Sequence, residues 1–303
     1  MTDRPLHAGA PPERLAAVRI LTGTYALANL VVRSPQFLAL RDREGDGFAG
    51  VGPLAWLARP VTDEILTAVF GLALVGGIAF VAGVWFRVSG PTFALAVLAL
   101  SSYRASWGQV LWFDNLVTLH LLILGVAASA DAWSLDAYRR ARPRSDHEYG
   151  APLRLLCVVV VVTYVIAGVA KLRYGGIEWI TGDTLRNHIA YSATRLEVLG
   201  GTPSPLAGPA VRLSWALPVM AAATVLIELA APVALLGGWW RNTWVAAAWA
   251  MHAAIAALML VVFPYPLFLV AFAPFFALER AVEWVGTVTR KRSDAERRPA
   301  PAS

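Results

Sequence analysis

Residues 153–184, LRLLCVVVVVTYVIAGVAKLRYGGIEWITGDT, decide the class of fold. From Leu155 to Ala170 the run is apolar apart from Thr163 and Tyr164, and about 20 residues of this kind match the thickness of a bilayer crossed as a helix. The small residues Ala167, Gly168 and Ala170 let a second helix approach closely. Lys171 then ends the run, and Gly175–Gly176, Glu178, Trp179 and a Thr-Gly-Asp-Thr sequence with the character of a helix start follow. At helical spacing Thr163, Ala167 and Lys171 share one stripe, with Tyr164 and Gly168 beside it.

The rest of the 303-residue chain agrees with that reading: 57% of it is hydrophobic and 15% charged, with a mean hydropathy of +0.57. Such a balance belongs to an integral membrane protein rather than to a soluble domain. The single cysteine, Cys157, lies inside the apolar run and reads as a core or lipid-facing thiol, with no partner for a disulfide. The net charge of +6 comes from arginines that flank apolar runs, which is a topology signal, and no basic stripe with interleaved aromatics points to nucleic acid. No Cys/His cluster has the spacing of a metal site, and no phosphate loop or nucleophile elbow is present. The segment RDREGDGFAG at 41–50 has the alternating acids of a calcium loop but not its terminal glutamate, and reads as a solvated loop.

Apolar runs recur at about 15–32, 65–86, 91–103, 110–130, 153–172, 213–236, 243–262 and 264–278, which predicts an all-α, polytopic bundle of about eight transmembrane helices. A leader at 1–13 and a basic tail at 285–303 are expected to be disordered around a transmembrane domain at 14–284. Placing both termini in the cytoplasm puts Arg14, Arg19, Arg87, Arg139, Arg140, Arg142, Arg144, Arg241 and the arginines of 290–298 on that side. The longer segments 33–64 and 173–212 then face outward, in a multi-pass protein of the cell membrane.

Polar groups within apolar spans are costly, about 2.5–3.5 kcal/mol for a charge at a helix centre, so each needs a role. Lys171 is either a boundary lysine snorkelling outward or a functional amine. Glu228, with Pro232 one turn on, lies too deep to snorkel and is either paired with a cation or protonated. His252 either bonds a neighbouring helix or handles a proton. Asp114, beside Asn115 at the start of a helix, is either a cap or part of a site. Arg19 either snorkels or pairs with a carboxylate such as Glu228, and Arg104 reads as an interfacial anchor.

Several ordered pieces give the chain a resemblance. They are VRILTG at 18–23, WSLDAY at 133–138, IAGVAKL at 166–172 followed by EWITGDTL at 178–185, IELAAPVALL at 227–236, and the histidine of MHAAIAALM at 251–259. With these the chain resembles the vitamin K-dependent gamma-carboxylase-like family, whose bacterial members are the horizontally transferred transmembrane domain proteins. The resemblance implies that Lys171 deprotonates an isoprenoid quinol, menaquinone or vitamin K-like, at the external face. It also implies quinol-dependent activity, either carboxylase-like, of the lyase type, or oxidoreductase. An amine suits that task where a low-dielectric helix end disfavours its charged form.

In the family a large luminal domain that binds propeptide and substrate follows the helices. Here an arginine-rich segment follows the last apolar run, a departure from the family that bears on peptide glutamate carboxylation more than on quinol handling. On this reading Tyr164, Gly168, Trp179, Asp114, Asn115, Glu228 and His252 surround the quinone-like ligand, whose tail stays in the lipid bilayer. The alternative is a non-catalytic membrane module that assists secretion or maturation of a small peptide or works with another membrane protein, its buried polar groups merely joining helices.

Overall fold

The computed structural model describes residues 9–41, 43, 46–108, 113–139, 145–181 and 184–281. The expected leader, over its first eight residues, and the expected basic tail lie outside these residues, as do Arg140, Arg142, Arg144 and the Gly-Asp pair at 182–183. The described residues are mostly helical, with no strand among them. Long helices form α1 (Pro12–Val32), α3 (Asp63–Ala82), α4 (Phe86–Ala105), α5 (Phe113–Val126), α7 (Asp146–Gly175), α11 (Ala216–Leu229) and α12 (Gly238–Met259). Further helices connect them: α2 (Ser34–Leu38), α6 (Leu135–Arg139), α8 (Glu178–Thr181), α9 (Thr184–Val198), α10 (Ala207–Arg212) and α13 (Pro264–Leu267).

Three of these helices, α1, α3 and α7, are long and apolar enough to cross a membrane. Several apolar runs seen in the sequence take different bounds. The run at 91–103 is the interior of the longer α4, because Pro91 falls near the helix start and leaves the later ladder intact. The run at 213–236 divides: α11 stops at Leu229, and Ala231–Leu236 continues as a tighter 3-10 helix with Pro232 in its first turn. The run at 264–278 is α13 followed by the 3-10 segment Val270–Phe275.

Local chemistry explains the ends. Gly83 stops α3 at φ 64°, a left-handed conformation open to glycine, and the amide of Val84 bonds back to Ala79 O at 2.9 Å. The next helix lacks a cap of its own. Asp136, from the WSLDAY stretch, supplies it across the fold, accepting from the Trp85 amide at 3.1 Å and the Phe86 amide at 2.8 Å.

In the core α1 packs on α3, α3 on α4, α4 on α5 and α7 on α11. Phe80 stacks at 5.3 Å on both Phe86 and Phe93, and Leu121, Leu124 and Leu156 are fully buried. A smaller cluster of Ile189, Ala207 and Leu217 fastens α9 and α10 to the bundle. The outside is apolar as well: Val75, Ile78, Ile166, Val219 and Leu226 are each more than 60% exposed. Arg19, Glu228 and His120 are buried instead. Apolar side chains outward and polar ones inward is the arrangement that hydrocarbon solvent stabilises, with packing and hydrogen bonds joining the helices.

Tyr149, in the first turns of α7, donates to Asp131, just past the end of α5, at 3.0 Å, and the Ala10 amide bonds Asp146 O at 3.0 Å. Thus α7 runs against α5 and alongside α1. The end of α7 that carries Lys171 therefore lies at the same end of the bundle as Arg33 and Asp114.

Candidate functional site

The crossing of α7 and α11 builds the first polar cluster. A Cβ on Gly168 would lie 2.9 Å from Leu229 Cδ2 and 3.1 Å from Glu228 Cβ, so the bare glycine lets α11 approach until Glu228 faces the next turn of α7. Three residues on, Lys171 forms an ion pair with Glu228 Oε1. The carboxylate side chain is 6% exposed and the lysine side chain 23%. Glu228 is therefore paired with a cation, and Lys171 is no freely snorkelling boundary residue. Its ammonium also lies 5.5 Å from the ring centre of Trp179, where the ring's negative face attracts it.

Next to the pair, Tyr164 Oη and His252 Nε2 share a hydrogen bond of 2.8 Å that ties α7 to α12. Trp244 stands edge-on to Tyr164 at 5.0 Å and donates to Ile227 O at 2.9 Å, in the turn that carries Glu228. His252 thus bonds a neighbouring helix, as one of its two readings required. Three atoms of this cluster are buried without a hydrogen-bond partner among the described residues: Glu228 Oε2, His252 Nδ1 and Trp179 Nε1. Orphaned buried polar atoms are expensive, by about 1–3 kcal/mol each, and they form a set of one acceptor, one indole donor and one tautomer-dependent ring nitrogen.

Asp114 and Asn115 do not join this cluster. Asn115 is exposed. The buried Asp114 carboxylate accepts through Oδ2 from Arg33 at 3.2 Å and pairs with Arg104, while Asn29 Nδ2 donates to Oδ1 at 3.4 Å. Arg104 is consequently a buried partner rather than an interfacial anchor; its guanidinium also sits 5.6 Å from the Phe37 ring centre. Burial lowers the pKa of Arg33 from its ordinary value and outweighs the opposing effect of Tyr25.

Arg19 takes neither of its expected roles. Fully buried, it donates to Phe80 O at 2.9 Å and Trp133 O at 2.7 Å, so carbonyl dipoles rather than a carboxylate receive it. A further buried pair escaped the sequence reading: His120 Nδ1 and Tyr265 Oη lie 2.7 Å apart, and Thr22 Oγ1 is 3.3 Å from the same hydroxyl. Part of its signal was present in α1, where Arg19, Thr22 and Asn29 recur on one stripe of a largely apolar span, with Arg33 just past its end. Among the described residues no group of His, Cys, Asp and Glu has the arrangement of a metal site.

A helical membrane domain with a part-buried ammonium–carboxylate pair, flanked by a tyrosine–histidine bond and a tryptophan face, is the class that fold and site define. The chain belongs to the HTTM domain family, whose sequence profile matches residues 8–281, and it is accordingly a membrane domain of the carboxylase type. No curated protein and no solved structure matches it. The five stretches that carry the resemblance each contribute to a contact described above: Arg19, Asp136, Gly168 with Lys171, Glu228, and His252.

Proposed function

We propose that the chain is a multi-pass protein of the cell membrane, crossing it about eight times with both termini in the cytoplasm, and that Lys171 and Glu228 together move the proton of an isoprenoid quinol. The observation that carries this reading is the pair itself, set under Trp179, together with three buried polar atoms, Glu228 Oε2 of the pair among them, that have no hydrogen-bond partner among the described residues. The donor set fits a quinol head group: Trp179 Nε1 can donate to its oxygen, and Glu228 Oε2 can accept from its hydroxyl.

When bound, such a quinol supplies an ionisable hydroxyl and two reducing electrons. Where water is partly excluded, a proton can pass along the hydrogen bond of an ammonium–carboxylate pair, because the neutral and ionic forms are closer in energy there than in water. Lys171 Nζ would be the group that takes the hydroxyl proton, with Glu228 as its partner across the helix crossing. His252 is held by Tyr164, which fixes the wall behind the carboxylate. Trp179 and the apolar exterior of α7 suit a ligand whose tail remains in lipid.

The test uses the whole chain in nanodiscs. Quinone extracted with the purified protein, together with quinol oxidation that falls about a hundredfold or more in Lys171→Ala at unchanged expression, supports the base assignment. Full turnover in that variant refutes it. Retention of every cellular role by Lys171→Ala favours instead a module that joins helices and assists a peptide or another membrane protein.

A further inference from the structure

Two helices sit against the Lys171 end of the bundle. α8 packs on α7 and α11 and brings the Trp179 ring to 5.5 Å from the Lys171 ammonium, while α9 packs on α11 and α12. The two are also joined to each other: the Trp179 ring lies 5.5 Å from that of His188, and Thr184 Oγ1 donates to Glu178 O at 3.3 Å. The chain enters and leaves this unit through glycines whose backbone other residues avoid, Gly176 at φ 57° and ψ −152° and Gly200 at φ 78°. A Cβ at either position would meet no atom within 4 Å, so neither glycine is there to admit a close neighbour. Both supply backbone freedom alone, as hinge positions do. The seat of the unit is small and separate. Ile189, the buried residue of α9, meets Ala207 and Leu217 in a cluster apart from the main core, with Leu258 and Met259 at its rim. A unit held by so little apolar contact opens at lower cost than α4 and α5, whose buried residues belong to the main core.

We propose that α8 and α9 form a hinged cover over the Lys171–Glu228 pair, swinging as one piece about Gly176 and Gly200 with Ile189 as its catch, and that its opening governs when a head group reaches Lys171. Closed, the cover holds Trp179 on the ammonium and limits water at the pair. Open, it carries Trp179 away and bares Nζ. What the cover serves rests on the reading of Lys171 as the reacting amine; its motion does not.

The test uses the full chain in nanodiscs, without added quinone, and an amine-acylating reagent read by mass spectrometry. The lysines of the chain are Lys171 and Lys291, so Lys291 normalises each reaction and the unfolded chain sets the fastest rate. In the unmodified protein Lys171 should react at least about tenfold more slowly than in the unfolded chain, and the amides of α9 should exchange with deuterium together and sooner than those of α4 and α5. Ile189→Ala, which empties the catch, should speed the labelling of Lys171 about tenfold, and Gly176→Ala, whose strain the open state relieves, should speed it several-fold. Gly108→Ala, at φ 81° and also in open space but far along the chain, should leave it unchanged. The proposal is overturned by labelling as fast in the native as in the unfolded chain, or by labelling that neither variant speeds beyond Gly108→Ala. It is overturned equally by a rise that comes only with faster exchange in α4 and α5, which reports loosening of the whole bundle. Neither measurement needs quinone or turnover. Failure of the cover with Lys171-dependent turnover intact removes this gate alone, and full turnover in Lys171→Ala with the cover intact removes the base assignment alone.

Discussion

Removing the ammonium from beside Glu228 gives the sharpest test of whether the two charges stabilise the bundle as a unit. In Lys171→Met the carboxylate, 6% exposed and with Oε2 already bare, loses its counter-ion. Its escape is to take up a proton, which at pH 7 costs about 3.7 kcal/mol, at about 1.36 kcal/mol per pH unit above an ordinary glutamate value near 4.3. That figure is a ceiling for the electrostatic part and agrees with the roughly 3–5 kcal/mol seen when one member of a buried pair is deleted. The penalty should therefore shrink by about 2.7 kcal/mol between pH 7 and pH 5, because protonation becomes cheaper by two pH units. Glu228→Gln should cost less, about 1–3 kcal/mol, because the lysine side chain is 23% exposed and its head can reach water. The double variant should recover most of the loss, leaving a coupling of about 2 kcal/mol or more. Equilibrium unfolding in mixed micelles at the two pH values measures all of this. A coupling near zero, or a Lys171→Met penalty that does not change with pH, refutes the reasoning.

Other substitutions test the packing that places the pair. Gly168→Leu should wedge α7 from α11 and cost about 1–3 kcal/mol, and a cysteine cross-link scan between the two helices should show the separation. Gly83→Ala combines a left-handed backbone with a Cβ that would lie 2.4 Å from Arg19 Nη1, so its loss in thermal unfolding should exceed that of Gly108→Ala, at φ 81° in open space, by about 1–3 kcal/mol. Tyr265→Phe removes the hydroxyl shared by His120 and Thr22 and should destabilise by about 1–3 kcal/mol, measured in the same assay.

The helical class was legible because a lipid-solvated chain must keep its backbone bonds within each segment, and the long apolar runs report this directly. The bounds were less so. Hydropathy does not distinguish a continuous span from α11 followed by a 3-10 segment, since the difference lies in Pro232 and the backbone, not in polarity. The site was legible residue by residue: Lys171, Glu228 and His252 each stand out as a polar group in an apolar run. Their pairing was not, because sequence spacing within one helix carries no information on which helix crosses it, and the crossing depends on Gly168 meeting Leu229. Arg104 misled for the same reason, as a cation near a helix end has the same sequence signature whether it faces head groups or Asp114.

Arg19 is anchored by two carbonyl oxygens on separate parts of the chain, Phe80 O and Trp133 O. Peptide dipoles cannot be titrated, and counter-ions in the medium do not compete well for a guanidinium sealed from water. This clasp should consequently stay shut across acid and brine alike, turning α1, the end of α3 and the segment at 133 into a fixed pivot. Any breathing that admits a guest would then have to be a splaying of the opposite ends, like the ribs of a fan riveted at its base.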